Sequence, residues 1–223
     1  MVHEILTIAL IGALISLDVT VLGQWMISRP LVSGMIIGSV LGDPWSGFKV
    51  GVIIELLWID VIPVGVSIPL NASIVAVLAS SWYILVNRYS MAAMILGICL
   101  AIQAGILFKK IDVSMRKLNV LMVHWIDACV IKGQEKRIPL FIYIGIVLSF
   151  ARSFIFYIML LYPGYLVIAL LINRLPPEIM RGLHLSSEVL PLLGIIVAMK
   201  AVHLKPAELF SQYKNKVFKK QAK

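Results

Sequence analysis

The sequence predicts an all-α integral membrane protein, in which residues 1–223 form one membrane-embedded bundle of several helices. Hydrophobic residue types make up 61% of the chain and charged types 14%, whereas soluble domains are about half apolar and about a quarter charged. Lipid can solvate the apolar exterior that such a composition requires. The net charge of +9 comes from basic residues between the apolar runs and at the C-terminus. That distribution is typical of cytoplasmic loops and does not favour a nucleic-acid-binding protein.

The N-terminal third of the chain predicts one membrane segment followed by a hairpin. The apolar run over residues 5–22 lacks a basic start and a small-residue cleavage site, so it is predicted to be retained rather than cleaved as a signal peptide. A polar break at 23–30 leads to two short apolar runs, 31–41 and 50–62, separated by the Gly/Pro-rich link 42–47. A straight span needs about 20 residues. These runs therefore predict a re-entrant or broken-helix hairpin, a structure tolerated at membrane depth only beside protein or a polar cavity.

Two fuller spans are predicted over residues 72–86 and 91–108, joined as an antiparallel pair by a tight link. Residues 109–137 are the most polar internal stretch and mix basic with apolar side chains. This pattern predicts a basic linker in the form of an amphipathic segment at the cytoplasmic surface.

The last third of the chain predicts an even number of membrane crossings. A long apolar run over 138–161 precedes an expected break at Pro163-Gly164, a short apolar piece over 165–172 and a final span over 183–204. The basic tail at 205–223 is predicted to be cytoplasmic. The side of the N-terminus stays open, because the sequence does not decide whether the hairpin crosses the bilayer.

Glu55 is the most informative residue for function, because a charged side chain inside a membrane costs about 3 kcal/mol on insertion scales. Such a carboxylate must face a polar cavity, pair with a partner or be protonated. Gly51 and Trp58 lie about one turn away on the same helix face. A carboxylate accepts hydrogen bonds from sugar hydroxyls, and an aromatic ring packs on the apolar face of a pyranose. We predict that Glu55 and Trp58 bind a sugar; the alternative for Glu55 is a structural contact with Arg29 or a partner subunit.

Two amides are predicted to complete the substrate site. Gln24 lies in the polar break beside the hairpin and suits hydroxyl recognition. Asn71 can donate to and accept from a sugar, but capping the helix that begins there is the commoner role of asparagine. Arg29, before Pro30, is placed to anchor the hairpin or to pair with a carboxylate.

Glycines recur four residues apart along the hairpin, at Gly34, Gly38 and Gly42 and again at Gly47 and Gly51. On a helix this spacing gives a ridge with little side-chain bulk, along which two backbones can approach closely. The alternative is that the ridge packs against a mobile element or a sugar pocket. We assign structural roles in the hairpin to Arg29, Gly38, Gly42, Asp43 and Gly51.

The sequence shows no constellation typical of catalysis. It has no nucleophile elbow, phosphate-binding glycine loop or metal-ligand cluster, and no histidine has a base or ligand partner at a known spacing. The two cysteines, Cys99 and Cys129, lack a zinc or redox spacing. We therefore predict no catalytic residue, no metal site and no cofactor.

From residue 24 to residue 80 a series of motifs follows in a specific order. They are Arg29-Pro30-Leu31, the segment GSVLGD at 38–43, Gly47, Gly51, Glu55, Gly65 and Asn71-Ala72. Together they resemble the signature region of enzyme IIC of the mannose/fructose/sorbose-type phosphotransferase systems. Fainter similarity continues over most of the chain.

The resemblance implies a multi-pass subunit of the bacterial plasma membrane that binds and translocates a mannose-type sugar. It implies an oligomeric complex with a membrane enzyme IID subunit and with cytosolic IIA and IIB proteins of a phosphoenolpyruvate-dependent system. In that family IIB, phosphorylated on histidine, transfers its phosphoryl group to the sugar, and IIC carries no phosphorylated residue. The resemblance therefore implies a transport subunit rather than an enzyme, and it places Glu55 at the family's acidic position in the sugar-binding region.

The sequence departs from the family pattern at two places. The family commonly has aspartate where Asn71 stands, which changes the charge at that position. The family usually continues with further apolar segments beyond Leu204, where this sequence carries a basic tail. The second departure keeps open an alternative function, a non-transporting membrane sensor or assembly subunit of the phosphotransferase network.

Overall fold

The computed structural model of the protein describes residues 1–19, 21, 23–59, 70–87, 90–134, 136 and 138–201. Within these residues the chain forms seven α-helices and no strand, which confirms the predicted all-α fold. In chain order the helices are α1 (Val2–Leu17), α2 (Pro30–Val40), α3 (Pro44–Trp58), α4 (Ala72–Asn87), α5 (Met91–Ile131), α6 (Ile138–Arg174) and α7 (Pro177–Ala201). Gly65 and the predicted tail at 205–223 lie outside the described residues.

Helix lengths fit a multi-pass membrane bundle. α5, α6 and α7 are long and apolar enough to cross a membrane, and α1, α2 and α4 are shorter apolar helices. With 41 and 37 residues, α5 and α6 are about 60 Å and about 55 Å long, so both extend well beyond a hydrocarbon core about 30 Å thick.

The predicted hairpin is formed by α2 and α3, which pack against each other in antiparallel orientation. Each helix begins with a proline at its first position, Pro30 or Pro44, where the missing N–H costs no intrahelical hydrogen bond. Gly42 makes the turn with a φ of +78°, a conformation that glycine adopts without steric cost. Asp43 caps α3 by accepting hydrogen bonds from the Ser46 backbone N–H (3.1 Å) and hydroxyl (2.7 Å).

Glycines bring the two hairpin helices into backbone contact. A Cβ atom on Gly34 would lie 2.6 Å from the Gly47 carbonyl oxygen, and one on Gly47 would lie 2.2 Å from the Gly34 oxygen. Gly38 and Gly51 would each place a Cβ within 2.6 Å of backbone atoms across the hairpin. The glycine ridge therefore packs α2 against α3, as the first of the two alternatives predicts.

α5 is continuous over Met91–Ile131, whereas the sequence predicted a span over 91–108 and a separate surface segment over 109–137. No glycine or proline, the two residues that most disfavour a helix interior, lies within residues 106–132. The backbone therefore stays helical where the side chains change from apolar to basic. The helix ends before Gly133, whose φ of +66° is typical of a glycine that terminates a helix.

α6 runs unbroken through Pro163, so the predicted break at Pro163-Gly164 is wrong. α4 braces α6 at this point: the Trp82 Nε1–H donates a hydrogen bond to the Leu161 carbonyl oxygen at 2.9 Å. The Trp82 ring also fills the space beside Gly164, where a Cβ would lie 2.2 Å from the indole. Proline is tolerated inside a membrane helix when packing and local adjustment keep the backbone polar groups satisfied.

α4 is the central helix of the bundle. It packs against α1, α2, α3, α5 and α6, and its residues 73–83 are all buried. The buried hydroxyls of Ser80 and Ser81 donate to carbonyl oxygens of the preceding turn, so the helix satisfies its own polar groups. The start of α4 is thereby held beside the base of the hairpin and the middle of α5.

Candidate functional site

A polar cavity of about 260 Å³ lies where the base of the hairpin meets the start of α4 and the middle parts of α5 and α6. Its polar lining residues are Ser16, Ser28, Arg29, Glu55, Asn71, Ser73, Lys109, Asp112, Arg116 and Arg152. Its large apolar lining residues are Trp58, Ile59, Leu70 and Phe108. The predicted site residues Glu55, Asn71 and Trp58 therefore lie in one cavity, together with Arg29.

Glu55 closes the open end of the hairpin and faces the cavity. Its Oε1 pairs with Arg29 Nη1 at 3.2 Å, and its Oε2 accepts a hydrogen bond from the Leu31 backbone N–H at 3.4 Å. Leu31 lies in the first turn of α2, where a carboxylate complements the helix dipole and a free N–H. Glu55 thus makes the structural contact with Arg29 that the sequence left as an alternative. With 23% of its side chain exposed, its remaining acceptor capacity is directed to the cavity.

Asn71 and Trp58 lie at the helix ends that border the cavity. Asn71 Oδ1 accepts hydrogen bonds from the Ser73 backbone N–H (3.1 Å) and hydroxyl (2.6 Å), which is the capping role expected of a residue before a helix. Trp58 is the last residue of α3 and lines the cavity.

Gln24 does not line the cavity. It is exposed, in the turn between α1 and α2, with a positive φ of 51°. The sugar-binding role predicted for Gln24 stays a prediction that this placement does not support. Asp18, in the same turn, has a clear structural role.

Asp18 organises the turn that carries the chain from α1 to the hairpin. α1 ends at Leu17 rather than near residue 22. The Asp18 carboxylate accepts hydrogen bonds from the Trp25 N–H (2.7 Å), the Ser28 N–H (3.0 Å) and the Ser28 hydroxyl (2.9 Å). Burial alone would raise the pKa of Asp18, but the hydrogen bonds from Ser28 and Trp25 outweigh it and hold the pKa below its ordinary value of 3.8. The ionised carboxylate therefore fixes the position of Ser28 at the cavity edge.

The α5 and α6 side of the cavity carries a cluster of charged residues. Asp112 accepts from Arg116 Nε at 3.0 Å, one turn along α5, and from Arg152 Nη1 of α6 at 2.5 Å. The Arg152 guanidinium also lies over the Phe108 ring, 5.1 Å from its centroid. Lys109 lines the same side.

This cluster was missed at the level of sequence for two reasons. Residues 109–137 were predicted to form a separate surface segment, away from the site. Arg152 lies inside a long apolar run, and a charged residue in such a run is by itself a signal of a functional or paired position. That signal was available in the sequence, but its partner Asp112 could be found only from the packing of α5 on α6.

Comparison with known proteins identifies the family of the chain. A family model described as the PTS system sorbose-specific IIC component matches residues 2–210. The chain belongs to this family. The predicted resemblance is therefore confirmed, and the protein is a sugar permease subunit, a IIC component of the mannose/sorbose type.

Curated relatives of this IIC component are distant in sequence. The mannose-specific EIIC component of Escherichia coli (strain K12) is 23% identical over 191 residues, which are 84% of this chain and 70% of the relative. The fructose permease IIC component of Bacillus subtilis (strain 168) is 22% identical over 206 residues, which are 91% of this chain and 75% of the relative.

Two solved structures share the fold of this IIC component. One is the cryo-EM structure of the mannose transporter ManYZ in complex with microcin E492, with a TM-score of 0.63 and 18% identity over 97% of this chain and 87% of the other. The second, a membrane protein, has a TM-score of 0.73 and 18% identity over 96% and 85% of the two chains. Family and fold together establish a multi-pass membrane transport subunit.

Proposed function

We propose that this IIC component binds a mannose-type sugar in the cavity at the base of the hairpin and translocates it across the bacterial plasma membrane. The observation that carries the proposal is the meeting of Glu55, Asn71 and Trp58 in one polar cavity of about 260 Å³. A cavity of this size holds a small molecule, and a few convergent polar groups beside an aromatic ring are the usual composition of a small-ligand site.

The lining groups suit a ligand rich in hydroxyl groups. The Glu55 carboxylate accepts hydrogen bonds, and the Asn71 amide group has its NH₂ free to donate, because its oxygen is taken by Ser73. The hydroxyls of Ser16 and Ser28 donate to the Gly12 and Asp18 oxygens and can therefore accept from a ligand. The Trp58 indole offers an apolar surface on which the C–H face of a pyranose ring can pack. Because Glu55 also holds the start of α2, occupation of the cavity is coupled to the position of the hairpin. This coupling is the kind that broken-helix transporters use.

We further propose that the subunit works in a phosphoenolpyruvate-dependent phosphotransferase system. Membership in the IIC family supports a cytosolic IIB partner that phosphorylates the sugar and a IIA protein that supplies IIB. Similarity in fold to the mannose transporter ManYZ supports a membrane IID partner and an oligomeric assembly. Exposed apolar side chains along α6 and α7, such as Met159, Leu192 and Ile196, give surface for such a subunit and for lipid.

The test is sugar uptake and phosphorylation in vesicles that contain this protein with its IID, IIB and IIA partners. Glu55→Gln is expected to reduce uptake of mannose sharply, while Glu188→Gln, an exposed carboxylate on α7 outside the cavity lining, leaves uptake unchanged. Membrane insertion of both variants is checked by protease protection. Normal uptake in Glu55→Gln would refute the site. Absence of uptake and phosphorylation of any hexose, amino sugar or polyol by the assembled complex would refute transport and favour the non-transporting sensor.

A further inference from the structure

The cavity has two chemically different walls. The hairpin and the start of α4 present the carboxylate, amide and indole described above, which suit a neutral ligand. The second wall, formed by α5 and α6, presents Lys109, Arg116 and Arg152. These three residues are called the α5–α6 subsite below.

The charges of the cavity do not balance. Four cationic side chains and two carboxylates line it, so two positive charges are in excess. Arg29 and Glu55 form a pair of their own, which places the excess on the α5–α6 subsite. There Arg116 and Arg152 both pair with the single carboxylate of Asp112. Lys109 forms no salt bridge with any residue in the described part of the chain.

Arg152 is held in place and keeps an unused donor. Its side chain is only 13% exposed, and one end of the guanidinium is fixed by Asp112 while its plane lies over the Phe108 ring. Its Nε–H is buried and has no hydrogen-bond partner among the described residues. Buried donors without acceptors are rare in folded proteins, so the contacts within the described residues do not fully satisfy this guanidinium.

A neutral sugar does not account for the α5–α6 subsite, because hydroxyl groups do not compensate a net positive charge. Phosphoryl oxygens do, and the planar fork of arginine together with a lysine ammonium is the usual way in which proteins bind them. We infer that the α5–α6 subsite binds the phosphoryl group of a sugar phosphate, so that the permease holds its phosphorylated product in the same cavity as the sugar. This inference rests on the proposed function and adds a ligand to its site.

The basic surface next to the subsite agrees with this assignment. Lys110 and Lys117 follow on the exposed side of α5, and clustered positive charge raises the local concentration of anions. Phosphorylation takes place on the cytoplasmic side, where the basic end of α5 is expected to lie. That expectation puts the subsite on the side of the cavity from which the proposed IIB partner would act.

The inference is tested by measuring ligand binding to the full chain together with its IID partner, both reconstituted in nanodiscs of phosphatidylcholine. Titration calorimetry with mannose, mannose 6-phosphate and inorganic phosphate is expected to show that mannose 6-phosphate binds more tightly than mannose. Lys109→Gln and Arg152→Gln should each weaken binding of mannose 6-phosphate by about tenfold, the equivalent of one charge-assisted hydrogen bond. Both variants should bind mannose within about twofold of the wild type.

Two variants serve as controls. Lys110 is exposed, is adjacent to Lys109 in sequence and does not line the cavity. Lys110→Gln should therefore leave the affinities for mannose and for mannose 6-phosphate unchanged. If Arg152→Gln misfolds because Asp112 loses its partner, Lys109→Gln still tests the inference, since Lys109 has no ion pair to lose. Equal weakening in Lys110→Gln and Lys109→Gln, or equal affinity of the wild type for mannose and mannose 6-phosphate, would overturn the inference.

A phospholipid headgroup shares the chemistry of the phosphoryl group. Replacing part of the phosphatidylcholine with phosphatidylglycerol separates the two sources. If phosphatidylglycerol displaces mannose 6-phosphate, and if the protein in pure phosphatidylcholine binds mannose 6-phosphate no more tightly than mannose, the subsite binds lipid and the inference is overturned. Binding of mannose without preference for its phosphate would overturn the inference and leave the proposed function intact. Binding of inorganic phosphate without any binding of mannose would refute the proposed function. It would also overturn the inference, because the subsite would then bind phosphate but not a sugar phosphate beside the sugar site.

Discussion

Glu55 and Arg29 join the two open ends of the hairpin, with 3.2 Å between Oε1 and Nη1. The same carboxylate accepts from the Leu31 N–H, so one side chain both holds the start of α2 and lines the cavity. The two contacts contribute differently to the stability of the hairpin. Arg29 is 57% exposed, and solvent screens an exposed ion pair, whereas the N–H of Leu31 has no intrahelical acceptor.

The first prediction separates these two contacts. Arg29→Gln should lower the free energy of unfolding by less than about 1 kcal/mol, because exposed ion pairs contribute little. Glu55→Ala should cost about 2 kcal/mol, since it removes the acceptor of the Leu31 N–H as well as the partner of Arg29. Denaturant unfolding in detergent micelles measures both. A loss in Arg29→Gln as large as that in Glu55→Ala would show that the ion pair itself holds the hairpin.

The second prediction concerns the backbone contact inside the hairpin. A Cβ on Gly47 would lie 2.2 Å from the Gly34 oxygen, and backbone cannot move away as a side chain can. Gly47→Ala should therefore cost about 3 kcal/mol through forced separation of α2 and α3. Gly145→Ala is the matched control, because a Cβ on this glycine of α6 meets no atom within 4 Å. It should be neutral or stabilise by up to about 1 kcal/mol through helix propensity. Equal effects of the two substitutions on thermal stability would disprove the close contact.

The hairpin could be predicted because the sequence features that specify it are local. Pro30 and Pro44 mark the starts of its helices, Gly42 marks its turn, and the four-residue glycine spacing needs no knowledge of the rest of the fold. Prediction failed where the outcome depends on packing. Pro163 predicts a break from the local sequence, yet α6 continues through it, in a turn that Trp82 of α4 contacts at Leu161 and Gly164.

The same division applies to the cavity. Glu55 was found because a carboxylate in an apolar run is visible in one segment of sequence. The α5–α6 wall was not found, because it requires two residues forty positions apart, Asp112 and Arg152, to meet. It also requires α5 to remain helical through its basic part, which was predicted to be a separate segment.

The third prediction uses the contact between Trp82 and Gly164. Gly164→Ala places a Cβ 2.2 Å from the indole and should cost about 2 kcal/mol or more, since the core must shift to accept it. Trp82→Phe removes the hydrogen bond to the Leu161 oxygen and should cost about 1 kcal/mol. The smaller ring leaves room for the added methyl, so the double variant should be more stable than the sum of the two losses predicts. Additive losses in a double-mutant cycle would show that the two residues do not compete for the same space.

The fourth prediction is a pH dependence carried by Asp18. Its pKa in the folded protein is below its ordinary value of 3.8, so the folded state favours the ionised form. The resulting stability is complete above the unfolded pKa and is lost as the pH falls through the folded pKa. Asp18→Asn replaces an acceptor of the Ser28 bonds with a donor, so it should be less stable than the wild type at neutral pH. The difference in melting temperature should shrink below about pH 4. A difference that stays constant from neutral to acidic pH would contradict the role of the charge.

The last prediction concerns Asp112, which pairs with two arginines at the cavity wall. Its pair with Arg152 is largely buried, with exposures of 15% and 13%, whereas Arg116 is 51% exposed. Asp112→Asn should therefore cost about 3 kcal/mol, because it leaves the buried guanidinium without a counter-charge. Arg116→Gln should cost less than about 1 kcal/mol.

The double variant Asp112→Asn with Arg152→Met decides whether the loss comes from the unpaired charge. Methionine fills a similar volume without a charge, so the double variant should recover most of the stability lost in Asp112→Asn. It should also bind mannose 6-phosphate about tenfold more weakly than the wild type, because the Arg152 donors are gone while the net charge of the α5–α6 subsite is unchanged. Unfolding in detergent and calorimetric binding measure the two effects on the same preparation. Recovery of stability together with unchanged binding of the phosphate would show that Arg152 serves the helix packing alone.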